Sequence, residues 1–169
     1  MHVSSLQEYG LRCALQLARR YGAGQVPASW IAQEEGVSTE YVSKVMFLFR
    51  KAGLIQASRG SQGGFGLSRE PGQITLKQVM DAVGSDSGRA EEEFCQHFKG
   101  KQDACVHFGG CSVRPVWTMI SGYFDAVMRE LTLQDLLARE QDVAERVGRT
   151  AERKSRELRE AIVKTKERV

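Results

Sequence analysis

Apolar residues in the N-terminal half of the chain recur with a helical period. From Ser5 to about Tyr21, Leu6, Tyr9, Gly10, Cys13, Ala14 and Leu17 fall at i, i+3 and i+4 spacing, which gathers them on one face of an amphipathic helix. Ser4 or Ser5 supplies its N-cap, and Gly22 and Gly24 follow its end. Pro27 stands where a first helical turn tolerates proline; Ile31 and Ala32 then face inward until Gly36 stops a second helix. Ser38 caps a third helix, Thr39 to Ala52, with Tyr41, Val42, Val45 and Leu48 as its buried side and Gly53 at its end.

The period then changes from helix to strand. Residues 54–59, Leu-Ile-Gln-Ala-Ser-Arg, suit a strand, Gly60 to Gly64 make a glycine-rich tip, and Phe65-Gly66-Leu67 returns. Two short strands about such a tip form a β-hairpin. Three helices followed by a hairpin is the order of a winged helix-turn-helix, and Ile74 to Val83 reads as a further short helix closing the unit. Periodicity is lost over residues 84–112. Pro115 opens a long helix whose stripe runs through Val116 and Trp117, Ile120, Tyr123 and Phe124, Val127 and Met128, to Leu131. The preceding unit can cover part of that stripe and a second copy of the same helix the rest. Thr132 with Asp135 resembles a capping box for a short helix through Leu137, and from about Gln141 the chain is charged, free of aromatics, and reads as a solvated helix or a disordered tail. The predicted architecture is mainly α with a small β-hairpin wing: a winged helix-turn-helix over 1–83, a cysteine-bearing loop over 84–112, dimerisation helices over 113–140 and a charged tail over 141–169.

Charge sharpens this picture. Residues 1–80 carry nine Lys/Arg against five Asp/Glu, and the remainder fifteen against sixteen. The positive excess lies in the helix-turn-helix half, where nucleic acid is a plausible partner. Thr39, Glu40, Ser43 and Lys44 lie away from the third helix's buried face, Ser38 opens it, and Arg50 and Lys51 sit at its end. A recognition helix meets base edges through its N-terminal residues and uses cations and hydroxyls on phosphates. The candidate DNA contacts are therefore Ser38, Thr39, Tyr41, Ser43, Lys44, Arg50 and Lys51 on the helix, with Arg59, Ser61, Gln62, Gly63 and Gly64 on the wing. No run approaches the ~18 apolar residues of a membrane span, and the first twenty residues lack a signal peptide's plan, so a cytoplasmic protein without membrane contact is expected. No catalytic set appears, and the wing glycines precede a strand where a phosphate-binding loop would open a helix. An enzyme is not expected.

In a reducing compartment, four cysteines point to ligands, reactive thiols or core residues rather than disulfides. Cys13 falls on the inward face of helix one and reads as core. Cys95, Cys105 and Cys111 form Cys-x9-Cys-x5-Cys in a polar stretch, with Gly100, Gly109 and Gly110 allowing tight backbone around a metal centre. Thiolates select zinc, copper(I) or iron–sulfur clusters, and the close Cys-x2-Cys pairs usual for zinc are missing.

Residues 41–67, with Arg50-Lys51-Ala52-Gly53-Leu54 and Arg59-Gly60-Ser61-Gln62-Gly63-Gly64-Phe65, resemble the Rrf-type winged-helix transcriptional regulators, the IscR/NsrR iron–sulfur regulator family. The similarity extends over about residues 1–140. It implies a homodimer joined by the long helix, presenting two recognition helices about 34 Å apart to a palindromic double-stranded operator. It also implies an iron–sulfur cluster, two-iron or four-iron, on Cys95, Cys105 and Cys111. Some relatives place a histidine three residues after the last cysteine, where this chain has Arg114; others use an acidic residue of helix one from the opposite subunit, and Glu8 matches that place. Glu8 is equally readable as an i, i+4 surface partner of Arg12, with His107 and His97 as reserve ligands. The resulting expectation is a repressor whose operator binding follows nitric oxide, redox state or iron supply. The alternatives are a metal-free thiol switch and a protein-interaction module of iron–sulfur metabolism.

Overall fold

The computed structural model describes residues 3–58, 60, 63–84, 101–103, 105–107 and 109–166. Helix α1 spans Ser5–Arg19. Its start is fixed by a capping box: the Gln7 N–H donates to Ser4 Oγ at 3.2 Å and the Ser4 N–H to Gln7 Oε1 at 3.0 Å. Helix α2 covers Ala28–Glu35, with Pro27 as the N-cap rather than inside the first turn, and ends at Gly36, whose φ of 66° lies in the left-handed region that glycine enters without strain. Helix α3 covers Thr39–Lys51 and is capped by Ser38, whose Oγ accepts the Tyr41 N–H at 3.1 Å.

The buried side of α3 is shifted from the expected one. Val42 and Val45 are buried, but Met46 and Phe49 complete the face, while Tyr41 and Leu48 are only half-buried. Phe49 lies at the centre of the core with Leu17, Ile31 and Ile74; burying a side chain of this size contributes roughly 1.5–3 kcal/mol.

Strands β1 (Ile55–Ser58) and β2 (Gly64–Leu67) pair antiparallel, Ile55 opposite Leu67 and Ser58 opposite Gly64. The wing has a third participant that the residue pattern did not announce. Val26, between α1 and α2, bridges Phe65 through paired backbone bonds of 2.8 and 2.9 Å. This approach requires Gly64, since a Cβ there would lie 2.6 Å from the Val26 carbonyl oxygen.

Helix α4 runs Leu76–Val83. It starts two residues later than expected because Thr75 builds a second capping box with Gln78 and Ile74 is drawn into a backbone ladder. In that ladder the Leu76 N–H donates to Leu131 O (2.8 Å) and the Leu133 N–H to Ile74 O (2.9 Å). Helix α5, Arg114–Glu130, is the long helix that Pro115 opens. Its C-terminal half joins the winged-helix core through Val127, with Leu131 and Leu133 just beyond. Its N-terminal half leaves Val116, Trp117, Met119 and Ile120 exposed, as is Val113 just before it. Thr132 and Asp135 make the expected box, the Thr132 N–H and hydroxyl both donating to Asp135 at 2.8 Å.

Of the two readings left open for the last segment, its described residues take the helix. Helix α6, Glu140–Lys166, folds back along α5. It docks by polar contacts: the Tyr123 hydroxyl donates to Ala151 O at 2.9 Å, and Arg153 and Lys154 pair with Glu130 at 2.6 and 3.3 Å.

Candidate functional site

Two regions carry the predicted chemistry. The first is the outer face of α3 with the wing beside it. Thr39, Ser43, Lys44, Arg50 and Lys51 are all exposed there, because the core residues Val42, Val45, Met46 and Phe49 hold the opposite side of the helix against α1, α2 and α4. No ion pair to Lys44, Arg50 or Lys51 occurs among the described residues, so these cations are available to an external anion. At the N-terminus Glu40 is held below the usual carboxylate range, first by its own backbone N–H and then by the Ser38 hydroxyl. Ser38 therefore spends its oxygen on capping and its proton on Glu40.

Tyr41 is turned the other way. Its ring packs edge-on against Tyr9, centroids 5.6 Å apart, and its hydroxyl is buried without a hydrogen-bond partner among the described residues. Burial first, then Cys13 and Tyr9, raises its pKa. Its ring thus takes part in the α1–α3 contact. On the wing, Gly63 is half-buried and Gly64 is engaged by Val26; Arg59, Ser61 and Gln62 lie outside the described residues. Phe47 was not singled out in the residue pattern, yet it stands 62% exposed in the middle of the cationic face. Its spacing from Val42, Val45 and Phe49 was the available signal.

The second region is the segment joining α4 to α5. Cys105 and Cys111 are half-buried free thiols in irregular backbone, with Gly109 at φ 94° between them. His107 is exposed, while Cys95 and His97 lie outside the described residues. No group of three or more His, Cys, Asp or Glu side chains suited to a metal ion is assembled among the described residues. Glu8 is exposed and bound by Arg12 at 2.7 Å, and Arg12 also approaches Glu35 at 4.0 Å. Cys13 is fully buried, and burial, helped by Glu35, pushes its thiol up to about 12.

The ends of this segment are tied together. Lys77 of α4, almost fully buried, pairs with Asp81 one turn on and with Asp125 of α5 at 3.6 Å. A charge removed from water is stable only with such partners.

Residues 3–139 match the family model described as Rrf2, iron-dependent transcriptional regulator. The HTH-type transcriptional regulator IscR of Cronobacter sakazakii is 28% identical over 158 residues, covering 92% of this chain and 93% of that one. Among solved structures, T. potens IscR superposes with a TM-score of 0.65 at 27% identity, covering 81% of this chain and 86% of that one. CymR, the global cysteine regulator of B. subtilis, gives 0.64 at 25% identity, covering 80% and 95%. No helix among the described residues is long and apolar enough to cross a membrane. With the helix-turn-helix, the wing and the long following helix all in place, the chain belongs to the Rrf2 family of transcriptional regulators.

Proposed function

We propose that this chain is a dimeric repressor that binds a palindromic duplex operator and whose affinity is set by an iron–sulfur cluster. The observation that carries the DNA reading is the stripe of cations, Lys44, Arg50 and Lys51, on the exposed face of α3, with no ion pair to them among the described residues. In this reading Arg50 and Lys51 neutralise phosphates, Thr39, Ser43 and Lys44 meet base edges, and Arg59, Ser61, Gln62 and Gly63 follow the adjacent minor groove. Ser38 and Gly64 support the contact by fixing the start of the helix and the root of the wing. A second copy covers the exposed part of α5 around Val116, Trp117 and Ile120.

The donors suit the proposed group in chemistry. Cys105 and Cys111 are free and partly accessible, and soft thiolates are the preferred ligands of such clusters. Cys95, Cys105 and Cys111 would hold the cluster, with Glu8 of the opposite subunit as the fourth ligand. When bound, the group supplies a reversible, oxidant- and nitric-oxide-sensitive link within the segment between α4 and α5. Because α4 belongs to the DNA-reading unit and α5 to the dimer contact, a change in that segment bears on the spacing of the two recognition helices. A coupling of only ~1–3 kcal/mol alters occupancy appreciably.

The test is an absorption spectrum of anaerobically purified protein, with iron and sulfide assays and duplex binding at several salt concentrations. Brown protein with equal iron and sulfide, and affinity that changes on cluster removal, supports the proposal. A second reading, a metal-free thiol switch, is favoured by the ion pair that already occupies Glu8 and by the likeness to a cysteine regulator. It predicts a colourless protein that stays empty after reconstitution and whose DNA affinity responds to peroxide.

A further inference from the structure

The outer face of α3 holds one residue that phosphate binding does not explain. At 100° per residue, Glu40, Ser43, Lys44, Phe47, Arg50 and Lys51 fall within an arc of about 120°, with Phe47 near its middle. The core side, Val42, Val45, Met46 and Phe49, faces the other way. Phe47 is 62% exposed, the most exposed aromatic ring among the described residues. Its flanks are the cations that would seat the helix on phosphates. Seated there, the ring enters the major groove, where the apolar group that a base pair presents is the C5-methyl of thymine.

We propose that Phe47 is a specificity-determining residue that reads thymine through its methyl group. The inference rests on the DNA-binding reading above and adds to it the base and the atom recognised. The ring makes no hydrogen bond, so it discriminates thymine from cytosine by apolar contact alone. Its exposure means that its replacement leaves the core intact.

The experiment uses the full-length protein. A binding site is selected from random duplexes, and each of its thymines is then replaced singly by deoxyuridine, which deletes only the methyl. The expected result is one position per half-site where uracil weakens wild-type binding by about fourfold, the worth of one buried methyl-sized group. Phe47→Ala should bind thymine and uracil equally at that position while keeping its melting temperature, and Phe47→Leu should retain part of the discrimination. Methyl sensitivity that survives in Phe47→Ala, or its absence at every thymine in the wild type, overturns the assignment. Failure of the wild type to select any duplex is a separate result, and it removes the DNA reading itself.

Discussion

Cys13 and the two described segment thiols differ in reactivity because they differ in burial. Cys13 is fully enclosed and its thiol is raised to about 12, whereas Cys105 and Cys111 are partly accessible. In metal-free native protein, iodoacetamide at mildly alkaline pH should modify Cys105 and Cys111 and spare Cys13, as peptide mass spectrometry would show. The raised thiol also sets a pH dependence. Unfolding frees Cys13 to ionise near its ordinary value of 9.0, so its contribution is complete below pH 9 and is lost as pH climbs towards 12. Cys13→Ala should flatten that alkaline decline in denaturant titrations. The inward place of Cys13 was legible in its spacing from Tyr9 and Leu17. The demand at Gly64 was not, because the crowding atom belongs to Val26, far back in the chain, and no local pattern records it. Gly64→Ala should force the wing from Val26 and cost roughly 1–3 kcal/mol, read as a lower melting temperature. Tyr41 fits two roles in the sequence, a place on the inward side of α3 by its spacing and a DNA contact by its polar tip, and its edge-on packing against Tyr9 shows the first of them.

Most helix starts were readable because caps are local chemistry: Ser4, Ser38 and Thr132 each bond a group three residues on, although the same box at Thr75 was not read. How the elements dock was less readable. The link from α4 to α5 is a buried ion pair between Lys77 and Asp125, and in sequence a lysine and an aspartate so far apart look like two solvated charges. Lys77→Met leaves Asp125 without its cation and should destabilise the protein by about 3 kcal/mol. Asp81→Asn, altering a half-exposed partner, should cost well under half as much by the same denaturant titration. The docking of α6 was hidden for a similar reason. It is carried by the hydrogen bond from Tyr123 and the ion pairs on Glu130 rather than by an apolar stripe, so a segment rich in charge reads as solvated. Tyr123→Phe removes one hydrogen bond, worth about 0.5–1.5 kcal/mol. Faster hydrogen exchange confined to residues 145–158 would register that loss.

For the whole molecule, the winged helix-turn-helix order emerged from period, caps and glycines, all short-range signals. That the preceding unit covers part of the long helix was also expected from the stripe, but the particular contacts were not, because they span the cysteine segment. Val127, Leu131 and Leu133 complete the core built by α1 to α4, and the Ile74–Leu76 backbone is laddered to Leu131 and Leu133. A fragment of residues 1–83 should therefore melt without a cooperative transition by circular dichroism, while residues 1–139 should show one. The same interlock has a consequence for biosynthesis. The ribosome delivers residues 1–83 first, then the cysteines, and only afterwards the three apolar side chains that close the core. Cys95, Cys105 and Cys111 thus emerge while the protein around them is still unfinished, and the last folding step comes after every thiol has left the exit tunnel. Whatever engages those thiols on the nascent chain acts before the native structure has locked.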